Sequence, residues 1–136
     1  MKSLFIILLL FCCSCNNSEK KPIINKNPKY SIISFSKTIA DFGTITNDTF
    51  VKAIFYIKNI GNENLIIGDV IPECSCTGYT LDNDTIVPGD STRLLVNFNT
   101  KGKELGLQKK VISVRTNTKK EYNSLFIKCR IIKKDH

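Results

Sequence analysis

Two cysteines one residue apart, Cys74 and Cys76 in "IPECSCTGY" (Ile71 to Tyr79), are the residues of this chain best suited to chemistry. Thiols at that spacing can bridge, exchange disulfides, or hold a soft ion such as Cu(I) or Zn. In an extended strand, residues two apart point the same way with Cα atoms roughly 6.5–7 Å apart, at or past the limit for a disulfide. A Cys74–Cys76 bridge therefore needs a turn, which Pro72 before it and Gly78 after it allow. The alternative joins one of them to Cys129, closing a loop of about fifty residues and contributing about 4 kcal/mol in the chain-entropy model. Either way one of the three thiols is left over. Cys74, Cys76 and Cys129 thus form the candidate disulfide or redox set.

A closed zinc site takes four ligands, and only Cys129 and the terminal His136 remain to complete one. Outside the cysteine cluster at residues 12–15 there is no Cys-x-x-Cys, and there is no His cluster, so neither a metal nor another cofactor is expected. A thioredoxin-type reaction calls for a thiolate at a helix N-terminus, and no helix is predicted there. "LDNDT" (Leu81 to Thr85) groups Asp82 and Asp84 but lacks the further ligands and late Glu of a hand-type calcium loop; it reads as a solvated turn. "DTI" and "DST", from Asp84 and Asp90, look like the short O-glycosylation sequon of Bacteroidota. A single His at the terminus completes no Ser–His–Asp set, and no phosphate-cradling Gly-rich loop is present. No catalytic residue and no small-molecule substrate are expected.

The compartment decides what Cys74 and Cys76 can do. The chain begins "MKSLFIILLLFCCSCNNSEKK": Lys2, an unbroken apolar run from Leu4 to Phe11, then a cysteine cluster and a polar segment. A membrane-spanning helix takes about twenty apolar residues, so this shorter run is the h-region of an export signal. An apolar run ending in small residues and a cysteine resembles the lipobox of bacterial lipoproteins, in which that cysteine is diacylated and opens the mature chain. Ser14 before Cys15 marks Cys15 as the lipidated residue, with Cys13 the second choice. Two acyl chains, at about 0.8 kcal/mol per buried methylene, anchor a protein stably without a spanning helix. The expected partner of the anchor is a bacterial membrane, the outer one in the first instance. The mature protein is expected in the cell envelope, periplasmic or surface-exposed, where disulfides persist.

Removing residues 1–14 leaves about 122 residues, enough for one domain. Residues 15–29, rich in Lys and Asn with Pro22 and Pro28, read as a flexible tether, and residues 30–136 as the domain. The net charge of +8 suggests an anionic partner, but its distribution excludes nucleic acid. No Lys or Arg falls between Asn59 and Thr92, where six carboxylates gather, and the later lysines alternate with apolar residues as solvated strand faces do.

The elements that must position the cysteines are strands. Period-two alternation bounded by Gly, Pro, Asn and Asp recurs along the chain. Strands are predicted over Ser31 to Thr38, Phe50 to Asn59, Leu65 to Ile71, Thr92 to Asn99, Lys109 to Asn117 and Ser124 to Ile132. The inward faces carry Val51, Ala53, Phe55 and Ile57; Leu94, Val96 and Phe98; and Leu125, Ile127, Cys129 and Ile131. About seven short strands over one domain predict an all-β, immunoglobulin-like sandwich.

Five motifs in order carry a family resemblance: "DFGTI" from Asp41, "FYIKNIGNENLII" from Phe55, "CSCT" from Cys74, "IVPGDS" from Ile86 and "NFNTKGKELG" from Asn97. Together they resemble the bacterial domain of unknown function 1573 family. The resemblance implies an immunoglobulin-like sandwich, secreted or lipid-anchored as in Bacteroidota, with no assigned activity. Gly43, Gly61, Gly89 and Pro88 match its turn positions, and Cys74 and Cys76 its paired cysteines, with Ser75 where the family usually has Gly. The function expected is a non-catalytic binding or structural module of the envelope, meeting another envelope protein or a glycan. The alternative is a periplasmic thiol-redox or copper-handling protein acting through Cys74 and Cys76.

Overall fold

The computed structural model describes residues 31–134. The signal, the tether, Cys13, Cys15 and His136 lie outside the described residues. Nine strands run in chain order: β1 (Ile33–Phe35), β2 (Ile39–Thr46), β3 (Phe50–Asn59), β4 (Leu65–Pro72), β5 (Thr77–Leu81), β6 (Thr85–Ile86), β7 (Ser91–Asn99), β8 (Gly106–Thr116) and β9 (Tyr122–Ile132). They form a four-stranded sheet in the order β1-β3-β7-β5 and a five-stranded sheet in the order β2-β9-β8-β4-β6. The two sheets make the expected all-β sandwich.

The core follows directly from alternation, because successive side chains on a strand face opposite ways. Phe55 and Ile57 of β3 and Leu94, Val96 and Phe98 of β7 are shut off from solvent on one side. From the other sheet they meet Leu65, Ile112, Val114, Leu125, Ile127, Cys129 and Ile131. Antiparallel pairing of Phe55 with Leu94 and Ile57 with Thr92 puts the inward residues of β3 and β7 side by side.

The strand count exceeds the seven expected because three strands lack a clean apolar alternation. β2 pairs with β9 in parallel, and its register shifts between Asp41 and Thr44. There Gly43 takes φ +62°, and Asp41 Oδ1 accepts its N–H at 2.9 Å. That hydrogen bond, and then the Lys128 ammonium at 3.2 Å, hold the Asp41 carboxyl below its ordinary range. β5 offers little apolar signal, and β6 has two residues, the first of them inside the stretch that reads as a turn. The first strand is also shorter than expected, Ile33–Phe35 rather than Ser31 to Thr38.

One buried polar residue locks one end of the sandwich. Asn59, fully buried at the end of β3, donates from Nδ2 to the carbonyls of Glu63 (2.8 Å) and Ile86 (2.9 Å). Its Oδ1 accepts the Gly61 N–H at 3.0 Å, and its backbone bonds to Asp90 and Gly89. Three segments thus meet on one amide. The described chain starts beside this end, with Ser31 Oγ donating to Asn117 Oδ1 at 3.0 Å and Ile60 N–H to Ile32 O.

Candidate functional site

The candidate site lies at the other end of the four-stranded sheet. β7 runs from Ser91, opposite Lys58, to Asn99, opposite Phe50. The length of β3 therefore separates it from the Asn59 end by roughly 30 Å.

The segment after β4 crosses between the sheets there. Glu73 donates its N–H to Val111 O (2.9 Å) and accepts the Val111 N–H on Oε2 (3.2 Å), which ties it to β8. Cys76 O accepts the Asn99 N–H at 3.0 Å, which ties it to β7. Between these anchors the Thr77 N–H bonds to Cys74 O at 3.1 Å and closes a tight turn. The turn brings the Cα atoms of Cys74 and Cys76 to 5.3 Å, and the two form a disulfide. That separation lies inside the range a disulfide tolerates, whereas an extended Cys-x-Cys does not. Buried Thr77 sits beneath the bridge, its Oγ1 3.5 Å from Cys74 Sγ and 3.9 Å from Cys76 Sγ. Cys129 is the leftover thiol, free and buried in the core on β9. Burial, aided by the Asp41 carboxylate, pushes its pKa up.

So short a loop limits what the bridge does for stability. With a sequence separation of two, the chain-entropy model gives about 1.5 kcal/mol, well under half the value for a bridge to Cys129. Cys74→Ser combined with Cys76→Ser is expected to cost about 1–2 kcal/mol in urea unfolding and leave the fold intact. In the unmodified chain, Cys129 is expected to react with a thiol label only after denaturation, as peptide mass mapping would show. The bridge shapes the turn more than it holds the sandwich together.

What the turn shapes is a pocket of about 420 Å³ on the outer face of the sheet, lined by Phe50, Cys76, Asn97, Asn99, Lys101 and Lys103. Ser75 and Gly78 complete the lining. Cross-strand register assembles it: Phe50 stands opposite Asn99, and Gly78 opposite Asn97. A Cβ at Gly78 would meet nothing within 4 Å, so that wall is open. The lysines are presented by the turn after β7, where the Lys103 N–H bonds to Thr100 O and Gly102 takes φ +69°, a conformation that favours glycine. Asn99 Oδ1 accepts the Lys101 N–H at 2.9 Å, leaving the amide nitrogen as a donor.

Asn97 Oδ1 has no solvent exposure and no hydrogen-bond partner. A buried acceptor without a bond costs about 1–3 kcal/mol, and orphans of this kind call for an explanation. The pocket combines that acceptor, a second amide, an aromatic ring and two cations, with no carboxylate in the lining. This equips it to bind an anion-bearing polar ligand.

The cysteines of this site were legible in the sequence and its other residues were not. Asn97 and Asn99 lie on the polar face of a strand whose apolar face is obvious, and Phe50 is some fifty residues away in sequence. Only the pairing of β3 with β7 joins them. A larger cleft, about 640 Å³, opens at the opposite end, with Ser31, Ile33, Lys119 and Lys120 in its lining. Among the described residues, no group of three or more His, Cys, Asp or Glu is placed to hold a metal ion.

Solved structures share the fold. A protein of unknown function from Porphyromonas gingivalis W83 is similar at TM-score 0.67 and 22% identity, over 75% of this chain and 47% of that one. This chain therefore spans about half the length of that protein. The human CEP192 ASH/PapD-like domain 7 matches at TM-score 0.60 and 10% identity, over 98% of this chain and 100% of that one. The VesB protease of Vibrio cholerae matches at TM-score 0.58 and 10% identity, over 73% of this chain and 31% of that one. No curated protein matches the chain. The motifs that frame the sandwich and its paired cysteines are accounted for by one family, Protein of unknown function (DUF1573), whose model matches residues 33–131, and the chain belongs to it.

Proposed function

We propose that the chain is a non-catalytic, immunoglobulin-like binding module, lipid-anchored through Cys15 in the bacterial cell envelope. The observation that carries the binding role is the polar pocket beside the disulfide, with its unmet acceptor and two lysines, at the end of the sandwich away from Ser31. In this reading the tether joins the domain at Ser31, the end opposite the pocket, so the attachment point leaves the pocket uncovered. The lining has groups that bind, but no His and no carboxylate to take a proton from a nucleophile. Partners in this reading are envelope proteins or glycans, reached through loops or an edge strand. Replacing Cys15 by Ala should move the chain from the membrane fraction to the soluble fraction of the envelope. Full retention of the variant in the membrane would remove the anchor from this reading.

A second reading, thiol exchange, draws on the partial exposure of the Cys74–Cys76 disulfide. In the bridged state the pair has no thiolate to offer copper, so a metal-handling role would begin with its reduction. The double Cys→Ser variant decides this too: a change in the redox state or copper content of cells carrying it would favour the second reading.

A further inference from the structure

We infer that the pocket beside the disulfide binds an anionic sugar, a uronate-bearing glycan. This rests on the binding-module reading and names the ligand class for it. Three features of the pocket select the chemistry together. The Asn97 oxygen needs a donor, and rotation about its terminal torsion, which is soft, turns it toward a ligand hydroxyl. The Asn99 amide nitrogen, two residues on along the same face of β7, supplies the matching donor, so neighbouring hydroxyls that both give and accept are met by paired amides. Lys101 and Lys103, with no lining carboxylate to neutralise them, call for a negative group on the same ligand.

The third feature is Phe50, more than half exposed beside these polar groups. An exposed ring offers a flat apolar surface to the C–H face of a pyranose, while the amides and lysines take its hydroxyls and carboxylate. The open wall at Gly78 leaves room for a chain of sugars to continue past the pocket. An acidic peptide would satisfy the lysines and, because β1 pairs only with Ile57–Asn59, has the Phe50 end of β3 as an edge to add to. It would leave the paired amides and the exposed ring without a use, which is why the sugar is favoured.

The test is calorimetric titration of the full, envelope-purified chain in detergent with hexagalacturonate, beside uncharged maltohexaose and poly-L-glutamate. Hexagalacturonate is expected to bind, and the other two to bind at least about tenfold more weakly. Lys101→Ala with Lys103→Ala, and separately Phe50→Ala, should each weaken it by about tenfold or more. Phe50→Tyr should restore it, and Lys119→Ala with Lys120→Ala, at the far end, should leave it unchanged. Absence of hexagalacturonate binding would overturn the proposal, and so would binding insensitive to Phe50→Ala. Equal affinity for poly-L-glutamate would also overturn it while leaving the module reading standing. The anchor is judged separately by fractionation of the Cys15 variant.

Discussion

Replacing Asn59 by Leu is expected to destabilise the domain by about 3 kcal/mol or more, although leucine has the same number and branching of side-chain heavy atoms. The loss is one of hydrogen bonds. Asn59 Nδ2 serves the Glu63 and Ile86 carbonyls and Oδ1 serves the Gly61 N–H, so leucine strands three backbone groups at once. Each buried group left unmet costs about 1–3 kcal/mol, and water can rescue those nearest the surface. Asn59→Asp keeps the acceptor for Gly61 but turns a donor toward two carbonyls into a buried charge, so it should be at least as damaging. Urea unfolding followed by circular dichroism measures both. A cost below about 1 kcal/mol for the leucine variant would mean that the junction of β3, the following turn and β6 does not depend on this amide.

Phe98→Ala is expected to cost about 3–5 kcal/mol, which for a domain of this size is a fall of roughly 15–30 °C in melting temperature. Phe98 has no solvent exposure and packs between the sheets, paired with Val51 on one side and Thr77 on the other. Strand neighbours cannot collapse into the void because β7 is hydrogen-bonded to both β3 and β5. The contrast within a single strand is the sharper test. Asn97→Ala, one residue away on the outer face, removes an acceptor that has no bond and should change stability by less than about 0.5 kcal/mol, or raise it. If the two variants unfold at the same denaturant concentration, the division of β7 into a core face and a site face fails.

The inward faces of β3, β7 and β9 were legible because each strand separates oil from water. Ala53, Phe55 and Ile57, then Leu94, Val96 and Phe98, then Leu125, Ile127, Cys129 and Ile131 are all buried as alternation predicts. β2 was not legible as a strand: its bulge at Gly43 breaks the period, and its pairing partner lies some ninety residues away in sequence. β5 and β6 were hidden for a different reason. They sit at sheet edges, where backbone pairing needs little apolar side-chain signal. The cysteines could be named from sequence, but the choice between a local bridge and one to Cys129 depended on a turn set by the Thr77 N–H and the Cys74 carbonyl. The pocket was least visible, since register joins Phe50 to Asn99 and no periodicity carries register.

The parallel pairing of β2 with β9 has a consequence for how the domain is made. β9, the last strand among the described residues, lies between β2 and β8 in its sheet. A nascent chain that has delivered β1 to β8 still has no neighbour for β2, and β8 has only β4. Four of the seventeen buried apolar residues, Leu125, Ile127, Cys129 and Ile131, are also absent at that stage. Folding that depends on such distant pairing is slow and completes late. If the chain is exported before it folds, as the proposed anchor requires, that delay is an advantage, because the five-stranded sheet cannot close until β9 has followed the rest through the translocation channel.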